Sequence, residues 1–88
     1  MVERFFLYDE TVEAKTRFVS FAGKNRRFDL AILQTDRYFG KSIVLDIQSN
    51  RFAIVGLDDL EEEGSIEAEF GFSEEDAAEL REFLYEMV

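Results

Sequence analysis

The sequence predicts an α+β fold: a curled or barrel-like antiparallel meander of five or six short strands with a C-terminal amphipathic helix packed on it. Three observations predict it. Apolar residues recur with period two from Glu3 to Val55 and again near Ile66. The connections between these runs are short, which implies antiparallel neighbours. From Ser73 onward the apolar spacing becomes that of a helix. A length of 88 residues allows one domain, spanning residues 1–88. With 47% hydrophobic and 15% aromatic residues, the chain is globular rather than disordered.

The first strand expected is Glu3 to Tyr8, with Phe5 and Leu7 on one side and Phe6 and Tyr8 on the other. Asp9 to Ala14 is polar and reads as a loop. Thr16 to Ala22 is the second strand, Phe18 facing away from Val19 and Phe21. Gly23-Lys24-Asn25 has turn chemistry, because Gly and Asn accept positive φ. Arg27 to Gln34 follows, with Phe28, Leu30 and Ile32 on one face, and Thr35-Asp36-Arg37 is a short connection. Tyr38 to Gln48 is a longer strand in which Ile43, Leu45 and Ile47 alternate. Ser49-Asn50 is a hairpin turn, and Arg51 to Val55 returns, Phe52 and Ile54 alternating with Ala53 and Val55.

Leu57 to Gly64 reads as a helical turn, capped by Asp58 and ended by Gly64. Ile66, Ala68, Phe70 and Phe72 then alternate with Glu67, Glu69 and Gly71, the pattern of a strand with one wet face. Ser73 opens the final helix. Ser73 and Asp76 have capping-box spacing, and Glu74, Glu75 and Asp76 meet the positive end of the helix dipole. Phe72 is placed to staple onto Ala77. Ala77, Leu80, Phe83, Leu84, Met87 and Val88 form one stripe, with Glu75, Glu79, Glu82 and Glu86 opposite.

Charge is divided unevenly. The formal net charge is -10, from 20 acidic and 10 basic side chains. Nine cations and seven anions lie before Leu57, whereas thirteen anions and the single cation Arg81 lie from Leu57 onward. The acidity therefore belongs to the last third. It repels phosphate and keeps the chain soluble. There is no cysteine and no histidine. Disulfides, thiolate metal sites and the commonest neutral-pH acid/base are thereby excluded. No apolar run approaches a membrane span. Met1-Val2-Glu3-Arg4 lacks the basic and apolar regions of a secretory signal, so a cytoplasmic location is expected.

Four groups are candidates for chemistry. Lys24, Arg26 and Arg27 sit at a hairpin tip, with Arg37, Lys41 and Arg51 as possible companions. Converging cations beside Tyr38 or Phe39 would suit RNA or single-stranded nucleic acid, although Lys and Arg also simply protect sheet edges. The acidic run Asp58, Asp59, Glu61, Glu62 and Glu63 has consecutive carboxylates that splay apart, unlike a calcium loop, and reads as a solvated face. The serines have no histidine base. Gly40-Lys41-Ser42 lacks the upstream glycine of a phosphate loop, position 35 being Thr. Carboxylate pairs and Lys41 are the remaining acid/base groups, and nothing singles them out. No enzyme, cofactor or metal is expected.

The fourth group is surplus apolar surface. Phe5 and Leu7 oppose Phe6 and Tyr8, Phe18 opposes Val19 and Phe21, and Ile43 and Leu45 oppose Val44. One helix of four turns covers only about 20 Å of one face. Either the sheet curls into a partial barrel or a second molecule covers the other face.

The succession Arg4-Phe5-Phe6-Leu7-Tyr8-Asp9, Thr16-Arg17-Phe18-Val19-Ser20-Phe21, Arg27-Phe28-Asp29-Leu30-Ala31-Ile32, Phe39-Gly40-Lys41, Arg51-Phe52-Ala53-Ile54 and Asp58-Asp59-Leu60-Glu61-Glu62 resembles a family of small cytosolic proteins of Firmicutes, a domain of unknown function. The resemblance spans nearly the whole chain. It implies a bacterial cytosolic source and carries over no catalytic residue. The functional expectation is a protein–protein interaction or homo-oligomerising module, a homodimer for example, with Phe6, Tyr8, Tyr38 and Phe39 as contact residues. The alternative is nucleic-acid binding through Lys24, Arg26, Arg27 and Arg37.

Overall fold

The structure, a computed structural model, describes residues 3–87. Four strands form one antiparallel sheet in the order β1-β2-β3-β4: β1 (Lys15–Ala22), β2 (Arg27–Gln34), β3 (Ser42–Asp46) and β4 (Arg51–Val55). Three helices follow: α1 (Leu57–Glu61), α2 (Ser65–Phe70) and α3 (Glu74–Met87). The α+β class and the C-terminal helix agree with the sequence reading. The strand count and the curl do not. The sheet has four strands rather than five or six. It is open, with β1 and β4 as free edges, and not barrel-like.

Two expected strands are replaced. Glu3 to Tyr8 forms no strand and belongs to an extended N-terminal arm, residues 3–14, without regular structure. Its side chains are apolar in both directions, so it needs cover on both sides, and a single helical layer on a single sheet supplies none for it. Ile66 to Phe72 is not a strand but α2 and its C-terminal turn. Ile66 and Phe70 are four residues apart as well as evenly spaced, so one helical turn puts both in the core. Gly64 (φ 81°) and Gly71 (φ 68°) take left-handed conformations at the two ends of α2, and the Gly71 N–H donates to the Glu67 carbonyl at 2.8 Å. The long strand expected over Tyr38 to Gln48 shortens to β3. Lys41 instead donates its N–H to the Tyr38 carbonyl, closing a turn that contains Gly40 at φ 75°.

The helices lie on one face of the sheet, and alternation decides what they bury. On that face β2 contributes Phe28, Leu30 and Ile32, β3 contributes Val44, and β4 contributes Ala53 and Val55. Leu60 of α1, Ile66 and Phe70 of α2, and Ala77, Leu80 and Leu84 of α3 close the core. Burying each large side chain contributes roughly 1.5–3 kcal/mol. Phe21 stacks on Phe28 at 4.8 Å and touches Phe83 at 5.0 Å, while Phe28 meets Phe72 edge-on at 5.8 Å. These contacts tie β1 and β2 to both ends of α3.

The predicted caps are partly exchanged. Ser73 does cap α3: its hydroxyl accepts from the Asp76 N–H at 3.2 Å, and its carbonyl from the Ala77 N–H at 2.9 Å. Phe72 and Ala77, the expected staple pair, are both buried. Val88 lies outside the described residues. At α1 the cap is Gly56, not Asp58, and the Gly56 N–H donates to Asp59 Oδ2 at 2.8 Å. The Ser65 hydroxyl donates to the Asp59 carbonyl, joining α1 to α2. No helix among the described residues is long and apolar enough to cross a membrane.

Candidate interaction surface

The sheet register fixes what the second face carries. Residues paired across the strands lie in rows on one face, and two rows face away from the helices. One row is Phe18, Ala31, Leu45 and Phe52; its neighbour is Thr16, Leu33, Ile43 and Ile54. Among the described residues, no helix packs over these rows as α1, α2 and α3 pack over the other face. Phe18 is 76% exposed and Phe52 61%. Ile54 is exposed, while Leu33, Ile43 and Leu45 are half-buried among their neighbours. Seven apolar side chains therefore lie together on this face, with Ala31 buried among the others.

Polar residues fill the patch's border toward the β1–β2 turn. Asp29 accepts from the Ser20 hydroxyl at 2.7 Å and from Gln48 Nε2 at 2.6 Å, and Arg27 Nε lies 3.1 Å from it. The Ser20 and Gln48 hydrogen bonds, with Arg27 adding its charge, hold the Asp29 carboxyl below its usual pKa. Arg27 and Asp29 cancel, so the strand residues of this face carry no net charge. The acidic third of the chain forms the helical layer on the opposite side of the sheet.

The four expected contact residues lie elsewhere, at the end of the molecule where β2 turns into β3. Arg37 organises that end. Its guanidinium pairs with Glu10 and sits 4.5 Å from the centre of the Tyr8 ring. A hydrogen bond involving Tyr38, together with Tyr8, raises the Arg37 pKa above its ordinary value. Tyr8 and Tyr38 are thus brought together around one cation. Phe39 stands 97% exposed on the same loop, and Phe6 is on the arm two residues from Tyr8. Phe18, Phe52 and Ile54, exposed on this face, are not among the four residues named from the sequence. The signal was present in the apolar residues of both parities, but which parity the helices claim is decided only by packing.

The basic residues are dispersed. Arg26 turns inward, 4.2 Å from the Phe72 ring centre, 5.2 Å from that of Phe28 and 3.6 Å from the Asp46 carboxylate. Arg27 is taken by Asp29, and Lys24 lies 3.9 Å from Glu75. Arg37 is at the other end of β2, paired with Glu10. The structure does not bring Lys24, Arg26, Arg27 and Arg37 to one surface, and each has a carboxylate beside it.

Lys41 and the acidic run are likewise explained locally. Lys41 Nζ lies 3.1 Å from Asp59 Oδ2 and 3.4 Å from Asp58 Oδ2, which raises the Lys41 pKa. The Gly56 N–H, then Lys41, lower that of Asp59. These groups clamp α1 to the start of β3. The apolar gap lined by Ile32, Val44, Val55, Leu60 and Leu84 is about 10 Å³, room for about one water and too small for a substrate.

Comparison with known proteins adds one match. A family model, SAV0927-like, matches residues 7–86. No curated protein matches the chain. The matched span runs from the arm through all four strands to the last turn of α3, and so the chain belongs to the SAV0927-like family.

Proposed function

We propose that this protein is a non-catalytic self-associating module whose contact surface is the uncovered face of the sheet. One observation carries the reading: a molecule of net charge -10 keeps one face that is largely apolar and, in its strand residues, without net charge, Arg27 and Asp29 cancelling. Two copies repel each other wherever their helical layers approach. They repel least when the uncovered faces meet, because that arrangement holds the two acidic layers farthest apart. The same approach removes Phe18 and Phe52 from water, each worth roughly 1.5–3 kcal/mol when fully buried.

Sedimentation of the full chain at micromolar concentration tests this. A dimer is expected, and Phe18→Glu with Phe52→Glu is expected to convert it to a folded monomer. A full-length chain that sediments as a monomer at these concentrations, with both substitutions leaving sedimentation and solubility unchanged, would sink the proposal.

A further inference from the structure

The two free edges of the sheet differ. β4 has five residues, with α1 and α2 packed against it. β1 has eight, contains neither glycine nor proline, and pairs with β2 without a bulge along its whole length. The Gly23 N–H donates to the Arg26 carbonyl at 2.7 Å in the same register, closing the β1–β2 hairpin. Antiparallel pairs alternate between bonded and non-bonded ones. From Gly23 backward, Phe21, Val19, Arg17 and Lys15 therefore direct their backbone groups at β2. Thr16, Phe18, Ser20 and Ala22 direct theirs away from the sheet. Such an open row of donors and acceptors is what an added strand takes up.

The charges on β1 select which strand that is. Lys15 and Arg17 stand on the helix side, Arg17 in one row with Ile32, Val44 and Ala53, and both are exposed. The molecule has two acidic side chains for each basic one. Even so, no ion pair among the described residues includes either cation, whereas Lys24, Arg26, Arg27, Arg37, Lys41 and Arg81 are all paired. Arg17 has the Phe83 ring, whose centre lies 5.9 Å from its guanidinium carbon. Toward an added strand, positions 15 and 17 are the non-bonded ones, where facing side chains come closest. Opposite charges facing there attract and like charges repel. At the other end of β1, Glu79, Glu82 and Glu86 line a hollow beside Phe21, so a carboxylate is repelled at that end. Cations that blunt the edge toward an uncharged strand thus admit an acidic one.

We propose that the β1 edge receives an acidic, extended segment of another protein as a fifth, antiparallel strand. Its backbone bonds to Thr16, Phe18 and Ser20. Two carboxylates at alternate positions face Arg17 and Lys15. The apolar residue before the first carboxylate lies beside Phe18 and prolongs the outer row of Phe52, Leu45, Ala31 and Phe18. A second copy of this chain is not the source. Its carboxylates spaced two apart all fall between Asp59 and Asp76, in the helices or the turns that join them, and none is in an extended segment. This added strand goes beyond the self-association reading and stands without it, since it uses the sheet edge and not the sheet face.

The probe is a capped, fluorescein-labelled peptide, Thr-Val-Val-Glu-Thr-Glu-Thr, titrated with the full chain and read by anisotropy. Saturable binding is expected. Lys15→Glu with Arg17→Glu, at unchanged far-ultraviolet circular dichroism, should weaken it at least about tenfold, and a peptide with lysine in place of both glutamates should restore it. Methylating the peptide nitrogens of the residues that face Phe18 and Thr16 should abolish binding, because those N–H groups point at β1. Methylating the nitrogens of the two glutamates, which point away, should leave it intact. A peptide that does not bind overturns the proposal. So does binding that survives both methylations, because charge alone then holds the peptide, and so does binding that the charge reversal leaves unchanged. Sedimentation of the chain without peptide tests the sheet face, so the two readings fail separately.

Discussion

Arg26 sets its guanidinium 3.6 Å from the carboxylate of Asp46, the one charged side chain fully buried among the described residues. Asp46 stands on the helix side of β3, in the same row as Val19, Leu30 and Arg51. One of its oxygens accepts from the Ser49 hydroxyl at 2.6 Å, and the other has no hydrogen-bond partner. Arg26 in turn lies over the rings of Phe72 and Phe28, closing that end of the core with a cation on an aromatic lid.

That relationship predicts an asymmetric mutational response. Arg26→Met keeps the hydrophobic stem but strips the partner from a buried charge, which costs about 3–5 kcal/mol. Asp46→Asn, which removes the charge and keeps the shape, should cost less. The double variant should recover more than half of the Arg26→Met loss. Urea unfolding of the four proteins measures it. An Arg26→Met variant as stable as the parent would show that Asp46 does not depend on Arg26.

Gly23 gives a second prediction. Its conformation is ordinary for any residue, but space is lacking. A Cβ there would approach Phe28 Cε2 to 2.6 Å and collide with the Glu79 carboxylate. Phe28 is fully buried and stacked on Phe21, so it has nowhere to go. Gly23→Ala should destabilise by about 1–3 kcal/mol through overpacking. Gly40→Ala meets no neighbour within 4 Å and pays only for its positive φ, about 1 kcal/mol. Thermal melts of the two variants should rank in that order, and the reverse ranking would refute the steric account.

How much of this was legible depends on how each element gets its cover. β2 and α3 were readable because each has one strongly apolar face and a clear boundary: Phe28, Leu30 and Ile32 on one, Ser73 followed by Ala77, Leu80 and Leu84 on the other. The Ile66 to Phe70 stretch was not, because Ile66 and Phe70 fall on one side in a strand and in a helical turn alike, and only the exposure of the small Ala68 distinguishes them. In β3 and β4 the core side carries Asp46 and the small Ala53, while the outward side carries Ile43, Leu45, Phe52 and Ile54. Hydropathy alone points the wrong way there. Glu3 to Tyr8 was misread because its apolar residues alternate like a strand, yet the sheet, ordered β1-β2-β3-β4, takes no pairing from them. As for the site, apolar side chains are exposed on the second face of the sheet, whereas of the four residues named from the sequence Tyr8 lies at Arg37, Tyr38 and Phe39 follow it in the loop, and Phe6 is on the arm.

Acid should act through Asp59. The Gly56 N–H and then Lys41 hold its carboxyl below the ordinary value. A depressed folded pKa contributes stability that is complete above the unfolded value, near pH 4, and is lost as pH falls through the folded one. The stability difference between the parent and Asp59→Asn should therefore be constant from about pH 6 to 8 and vanish toward pH 2. Lys41 has the opposite sign: its raised pKa contributes stability that is complete below about pH 10.4 and fades as pH rises through the folded value. Lys41→Met should thus differ from the parent at neutral pH and converge with it at both extremes. Chemical denaturation across the pH range checks both, and a difference for Asp59→Asn that persists unchanged at pH 2 would contradict the assignment.

Salt separates the proposed interface from one built on ion pairs. Each copy carries a net charge of -10, concentrated from Leu57 onward on the helical side, so long-range repulsion opposes association even when the uncovered faces meet. The Debye length falls from about 10 Å at 0.1 M to about 3 Å at 1 M salt, which removes that repulsion while leaving apolar contacts intact. Raising sodium chloride from about 0.05 M to 0.5 M should therefore tighten the dimer, by roughly two- to fivefold. An interface held by Lys24, Arg26 or Arg27 against the acidic helices of another copy would weaken over the same range, as would any complex with nucleic acid. Sedimentation equilibrium at four salt concentrations distinguishes these, since the sign of the slope, not its size, identifies which surface two copies share.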